Sequence, residues 1–259
     1  MTARAFVRSD LAMDRWEPST YGDRIADVYD TWYGLPDDAA DTVAFLLETA
    51  GPGPVLELAI GTGRIAVPLA EAGALVHGID ASDAMIAQLR DKPGGLDLPV
   101  TIGDFADVGV EGRFGLIFVV FNTFFALLGQ EDQVRCMRNV AKHLTDDGVF
   151  VLEAFVPDLG RFDRGQRVDT THVGVDEVKL DVSMHDPIGQ RVDSLHLLLS
   201  PDGTRTYPVA IRYAWPSELD LMARLAGLRL RERWAGWHRE PYTGEGKHVS
   251  VYERDPEGG

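Results

Sequence analysis

Cysteine is nearly absent from the sequence. The single Cys136 excludes an internal disulfide, and its place in the helical pattern QVRCMRNVAKHL reads as a packed thiol rather than a nucleophile. Long apolar runs are missing as well. No stretch approaches the roughly 20 apolar residues needed to span a bilayer. The opening segment MTARAFVRSDLAMDRW has no apolar run of the signal-peptide kind, so a reducing, cytoplasmic setting and no membrane partner are expected. Positive charge is scarce: 25 Lys and Arg stand against 41 Asp and Glu, a net charge of -16. Such a chain repels phosphate backbones, which argues against nucleic acid and for a small-molecule partner. The histidines from His172 onward have no close ligand spacing, so no metal is expected. No internal repeat or low-complexity tract is present.

What is there is a chain of 259 residues with 45% hydrophobic content, enough for one α/β domain carrying an insertion. Residues 16–50 read as a helical preface, with Tyr21, Ile25, Val28, Tyr29 and Tyr33 mostly three or four apart. Short apolar runs follow at 55–59, 75–79, 99–102, 116–121 and 149–152, suited to strands buried on both faces of a parallel sheet. Helices are predicted between them at 64–72, at 83–90 with Ser82 as N-cap, and at 131–144. This βαβα order predicts a doubly wound sheet. After Phe155 the period changes to two, and Pro201-Asp202-Gly203-Thr204 marks a turn, so residues 156–214 are expected to form an antiparallel β insertion after the fifth strand. A helix from an N-cap at Ser217 to Ala226 and strands at 228–234 and 248–254 close the chain.

The segment from Val55 to Arg64 is a strand running through a glycine turn into a helix. Gly61 and Gly63 permit torsions and close approach that a β-carbon would block, and the following helix would offer free amides to an anion. The pattern Gly61-x-Gly63-x-x-Ala66 also satisfies the dinucleotide fingerprint. Glu57 argues against that reading. A carboxylate beside a pyrophosphate is unfavourable, yet it suits a ligand carrying an ammonium and a sulfonium. Asp80, ending the second strand, can accept from both ribose hydroxyls; Asp104, ending the third, can accept from an adenine amino group, with Phe105 as an apolar edge.

These residues resemble class I S-adenosylmethionine (SAM)-dependent methyltransferases over residues 55–154: ELAIGTG for the glycine motif, GIDAS for the ribose motif, IGDF for the adenine motif and LIFVVFNTF for the fourth strand. Ala59 replaces the family's usual first glycine. The resemblance implies a Rossmann-like seven-stranded sheet, SAM as cofactor, Glu57, Gly61 and Gly63 near the methionine moiety, Asp80 at the ribose, and Asp104 with Phe105 at the adenine. Met85 would pack on the nucleoside, and Ala59, Arg64, Ala81 and Phe121 complete the expected cofactor contacts. The preface RIADVYDTWYG and the late insertion are similar in arrangement to bacterial small-molecule N-methyltransferases, including those acting on amino sugars.

Methyl transfer needs alignment and exclusion of water more than acid-base chemistry. Tyr21 and Tyr33 are expected to close over the cofactor. No catalytic residue is fixed by the sequence; the candidates are Tyr21, Tyr33, Asn122, His185, His196 and His238, the last in a loop with Trp237 and Tyr242. The expected organisation is a helical lid (1–50), a cofactor-binding core (51–155 and 215–255) and an insertion (156–214) that walls the acceptor site or makes a subunit contact in a monomer or homodimer. The expected function is transfer of a methyl group to N or O of a metabolite. The alternatives are an NAD(P)-dependent oxidoreductase and a SAM-binding protein without catalysis.

Overall fold

The structure, a computed structural model, describes residues 16–35 and 37–256; residues 1–15 of the expected lid lie outside the described residues. Two helices, α1 (Thr20–Tyr33) and α2 (Ala39–Thr49), precede β1 (Val55–Leu58), α3 (Ala66–Glu71), β2 (Val76–Asp80), α4 (Asp83–Arg90), β3 (Val100–Ile102), β4 (Phe114–Val119), α5 (Gln130–His143) and β5 (Leu144–Phe155). The insertion supplies β6 (Gln166–Val173), β7 (Val178–Asp186), β8 (Arg191–Ser200) and β9 (Gly203–Arg212); α6 (Pro216–Leu225), β10 (Leu228–Trp234) and β11 (Lys247–Arg254) complete the core.

The main sheet has seven strands in the order β10-β11-β5-β4-β1-β2-β3, and only β11 runs against its neighbours. Alternation along each strand fills both faces. Leu116, Phe118, Val149 and Val151 meet Phe45 and Leu46 of α2, together with residues of α3 and α4, on one side. Ile117, Val119, Phe150 and Leu152 meet α5 and α6 on the other. Burial on both faces is why these strands read as continuous apolar runs.

The insertion is a separate four-stranded meander, β6-β7-β8-β9. Its last strand is tied to the core through Arg212, which is 6% exposed and donates to Gln133 Oε1 at 2.6 Å, Gln190 Oε1 at 3.1 Å and Glu218 Oε1 at 2.7 Å. Helix α1 lies between insertion and core. Trp32 packs edge-on against Tyr207 of β9 at 4.7 Å, while Gly22 sits so close to α4 that a β-carbon there would lie 2.5 Å from Ser82 Cβ. Ser82 caps α4 as expected, accepting from Met85 N and donating to Asp23 of α1 at 2.7 Å.

Some boundaries differ from the sequence reading. Helix α3 starts at Ala66 rather than Arg64, because the turn residues ahead of it are held by the sheet edge. Helix α6 starts at Pro216 with Trp215 as its cap residue, since proline is well suited to the first helical turn. Strand β5 extends back to Leu144, which pairs with Phe114 before a register shift resumes pairing at Val149.

Candidate functional site

The carboxyl ends of β1, β2 and β4 meet where strand order reverses, the place where open α/β sheets bind ligands. Here β1 leads into a turn containing Ala59 (φ 56°), Gly61 (φ 54°) and Gly63 (φ 77°). Gly63 is doubly constrained, because a β-carbon on it would lie 2.3 Å from Leu89 Cδ1. Asp80 pins this turn. Its Oδ2 accepts from Gly61 N and its Oδ1 from Ser82 N, both at 2.8 Å. Burial pushes the Asp80 carboxyl up from its ordinary value, and the amides of Ser82, Gly61 and Ala81 oppose that shift. A carboxylate oxygen can accept more than one bond, so Asp80 retains capacity for ribose hydroxyls.

The cavity beside this turn is lined by Tyr29, Glu57, Gly61, Arg64, Phe121 and Thr123, among others. Glu57 is 5% exposed, and burial holds its carboxyl well above the usual range while a hydrogen bond from the Ala66 amide pulls the other way. That bond takes the first amide of α3, which the sequence reading had left free for a ligand. The Oε2 of Glu57 and the Nε of Arg64 are both buried without a hydrogen-bond partner. The Arg64 guanidinium lies over three rings, 4.3 Å from Phe121, 5.3 Å from Tyr29 and 5.9 Å from Tyr33. Both residues line the cavity, and a ligand carrying a positive and a negative group would complement them. The ammonium and carboxylate of a methionine moiety have that character, so the residues present fit SAM, which Glu57 and Arg64 would hold by those two groups. A dinucleotide would bring its pyrophosphate against Glu57.

Helix α1 closes one side. Thr62 donates to Asp30 Oδ1 at 2.7 Å, and Lys92 reaches both Asp30 Oδ2 at 2.7 Å and Thr62 O at 2.8 Å, which ties α1 to the glycine turn. Tyr29 packs against Tyr21 at 6.4 Å and Tyr33 at 5.0 Å. Burial raises the Tyr21 and Tyr33 phenols, Tyr21 well above its ordinary value, so both keep their protons at neutral pH and can donate but not act as phenolate bases.

The other expected residues are more scattered. Asp104 accepts from Ala106 N at 2.8 Å, with the Arg135 guanidinium 3.7 Å away, and Phe105 belongs to the core beneath α5. Met85 is buried against Ile25, Ala26 and Tyr207, in the contact between α1 and α4. Ala81 follows Asp80 at the mouth of the turn. Asn122 is a turn residue with φ 63° whose Oδ1 accepts from Phe155 N at 2.6 Å. The histidines stand apart from the cavity lining. His185 is buried, bonded to Tyr213 Oη at 2.9 Å and stacked on Phe162, with its pKa lowered by burial. His196 lies 3.8 Å from Asp181, and His238 is paired with Asp41 at 3.0 Å. Trp237, beside His238, packs on Phe45 in the core at 5.4 Å.

Sequence reasoning missed Tyr29 as a wall of the cavity and Glu153 and Lys247 as its support. The signal for Glu153 was an acid inside VLEAF, a strand otherwise apolar on both faces. Among the described residues no group of three His, Cys, Asp or Glu could hold a metal ion, and no helix is long and apolar enough to cross a membrane.

A Rossmann-like sheet with a zwitterion-matching cavity beside its glycine turn defines a class: the chain belongs to the class I SAM-dependent methyltransferases, and SAM is its cofactor. The family model described as a methyltransferase domain matches residues 55–148. The structure of the CcbJ methyltransferase from Streptomyces caelestis is similar over 92% of this chain and 99% of that one, at 40% identity and a TM-score of 0.87. The cypemycin N-terminal methyltransferase of a Streptomyces species is 29% identical over 238 residues, 91% of this chain and 97% of that protein. A dTDP-3-amino-3,6-dideoxy-alpha-D-glucopyranose N,N-dimethyltransferase from Streptomyces fradiae is 31% identical over 140 residues, 51% of this chain and 54% of its own length. An NAD(P)-dependent oxidoreductase is not supported by any of these likenesses.

Proposed function

We propose that this enzyme methylates an amino nitrogen of a small molecule, with a peptide N-terminus as the nearest variant. The observation that carries the reading is the cavity lining. Tyr29 is a phenol raised by burial, Arg64 is a cation, and Glu57 is a buried carboxyl with its pKa raised. Tyr29 and Arg64 hold their protons, and Glu57 is the one carboxyl in the lining; with Glu57 engaged by the methionine ammonium, no proton acceptor is left for a hydroxyl, which requires one where a neutral amine does not. The names of the cypemycin and amino-sugar relatives support nitrogen as the target. Bound SAM supplies a methyl group already activated on a sulfonium. The chain's own task is alignment and dryness: Asp80 holds the ribose, Glu57 and Arg64 the methionine end, Asp104 the adenine, and the α1 tyrosines keep water out. We place the enzyme in the cytoplasm, as a monomer or homodimer, with the insertion walling the acceptor site and no nucleic-acid or membrane partner.

Transfer is tested by mass spectrometry with SAM and paired acceptors: a free-amine peptide and its N-acetyl form, and a dTDP-amino sugar and its hydroxyl counterpart. A one-methylene mass gain on an amine member alone is expected. Methylation of a hydroxyl member, or of none of the four, overturns the reading. For Asp80→Ala, calorimetry should show SAM binding weakened by roughly 1.5–3 kcal/mol, the value of hydrogen bonds to a charged group. Unchanged affinity would remove Asp80 from the site.

A further inference from the structure

Strand β4 runs into two successive residues with positive φ, Phe121 at 57° and Asn122 at 63°. That conformation crowds the β-carbon against the backbone, and a bulky residue keeps it only with outside support. The support comes from β5. Glu153 accepts from Phe121 N through Oε2 at 2.9 Å and from Asn122 N through its backbone oxygen at 3.3 Å. Its Oε1 takes Lys247 Nζ at 3.0 Å, and Lys247 also reaches Asp38 Oδ2 at 2.9 Å, immediately before α2. Glu153 is 5% exposed. The carboxylate is buried while the Lys247 side chain is 41% exposed, and burying a charge is costly for stability, so the worth of Glu153 lies in what it holds. What it holds is the turn that sets the Phe121 ring 4.3 Å from the Arg64 guanidinium, in a cavity also lined by Ala59, another residue with positive φ.

We propose that Glu153 is a positioning residue of the cofactor site. Its carboxylate, neutralised by Lys247, locks Phe121 and Asn122 in the left-handed conformation, and the Phe121 ring in turn fixes Arg64 where the methionine carboxylate is received. The proposal rests on the reading of this cavity as the SAM site, which binding of SAM by the unaltered chain checks separately.

The test is calorimetry of the full chain with SAM and S-adenosylhomocysteine, with hydrogen exchange of the Phe121 amide as a second readout. Glu153→Ala should weaken both ligands about 30-fold, the scale set by losing support for strained residues, and should speed exchange at Phe121. Glu153→Gln, whose amide oxygen can still accept from Phe121, should stay within about threefold of the unaltered chain. Val151→Ala, a fully buried neighbour on the same strand, destabilises by leaving a cavity and should leave both readouts unchanged, which a merely structural role for Glu153 would not distinguish. If Glu153→Ala does not fold, Lys247→Met takes its place, with an expected loss of about tenfold from an uncompensated carboxylate. Unaltered affinity in the folded variant, equal weakening in Val151→Ala, or failure of Glu153→Gln to rescue overturns the proposal.

Discussion

Arg212→Met should destabilise the chain by about 3–5 kcal/mol, the cost of removing one partner from a buried pair. Glu218 would lose its guanidinium, and Gln133, fully buried, would lose the donor at 2.6 Å on its Oε1. Three elements are held by this one side chain, because Gln133 lies on α5, Glu218 on α6 and Arg212 itself ends β9. Burial tends to raise the Glu218 carboxyl, but its hydrogen bonds from Arg212, Gln190 and Gln130 leave it below the ordinary value, as expected if the pair is well satisfied. Urea unfolding near neutral pH measures the loss. The double variant Arg212→Met with Glu218→Gln should recover part of it, because no unpaired charge then remains. A single variant within about 1 kcal/mol of the unaltered chain would show that the insertion is anchored elsewhere.

His248 should make stability fall with acid in a window that opens near pH 6.5. It is fully buried, its Nδ1 is 2.8 Å from Ser250 Oγ, and its Nε2 has no partner. Burial, aided by the Arg233 guanidinium and opposed by Asp220, lowers its pKa from 6.5 to about 4. The folded state therefore binds the proton less readily than the unfolded one. Its contribution is fully present above pH 6.5 and is lost progressively as pH falls toward about 4, in total about 3 kcal/mol. Urea unfolding at a series of pH values, compared with His248→Gln, isolates it. A difference between the two chains that stays flat across that window would contradict the burial argument.

Local chemistry explains which parts were legible. Strands buried on both faces must be apolar throughout, so β1, β2, β4 and the centre of β5 stood out, and the change to a period of two after Phe155 announced a sheet with two unlike faces. The cap at Ser82 was legible because a hydroxyl beside an orphan amide is a contact within one turn. The glycine turn and Asp80 were legible for a related reason: their torsions and bonds are set by neighbours in one βαβ unit. Arg64 could be named, but not its surroundings. Its three rings come from α1 and from the end of β4, segments that no local periodicity connects.

By itself, then, the sequence determined the doubly wound sheet, the antiparallel insertion, the glycine turn and the acids at the strand ends, because each follows from side-chain period, backbone torsion or a bond within a few residues. Only the tertiary structure decided which polar groups are left wanting. The unpaired oxygen of Glu57 and the unpaired nitrogen of Arg64, the seating of α1 through Asp30, Thr62 and Lys92, and the hold of Glu153 on Phe121 are all sums over segments far apart in the chain. Whether a buried polar atom is satisfied depends on every neighbour in space, and that is settled when the layers pack.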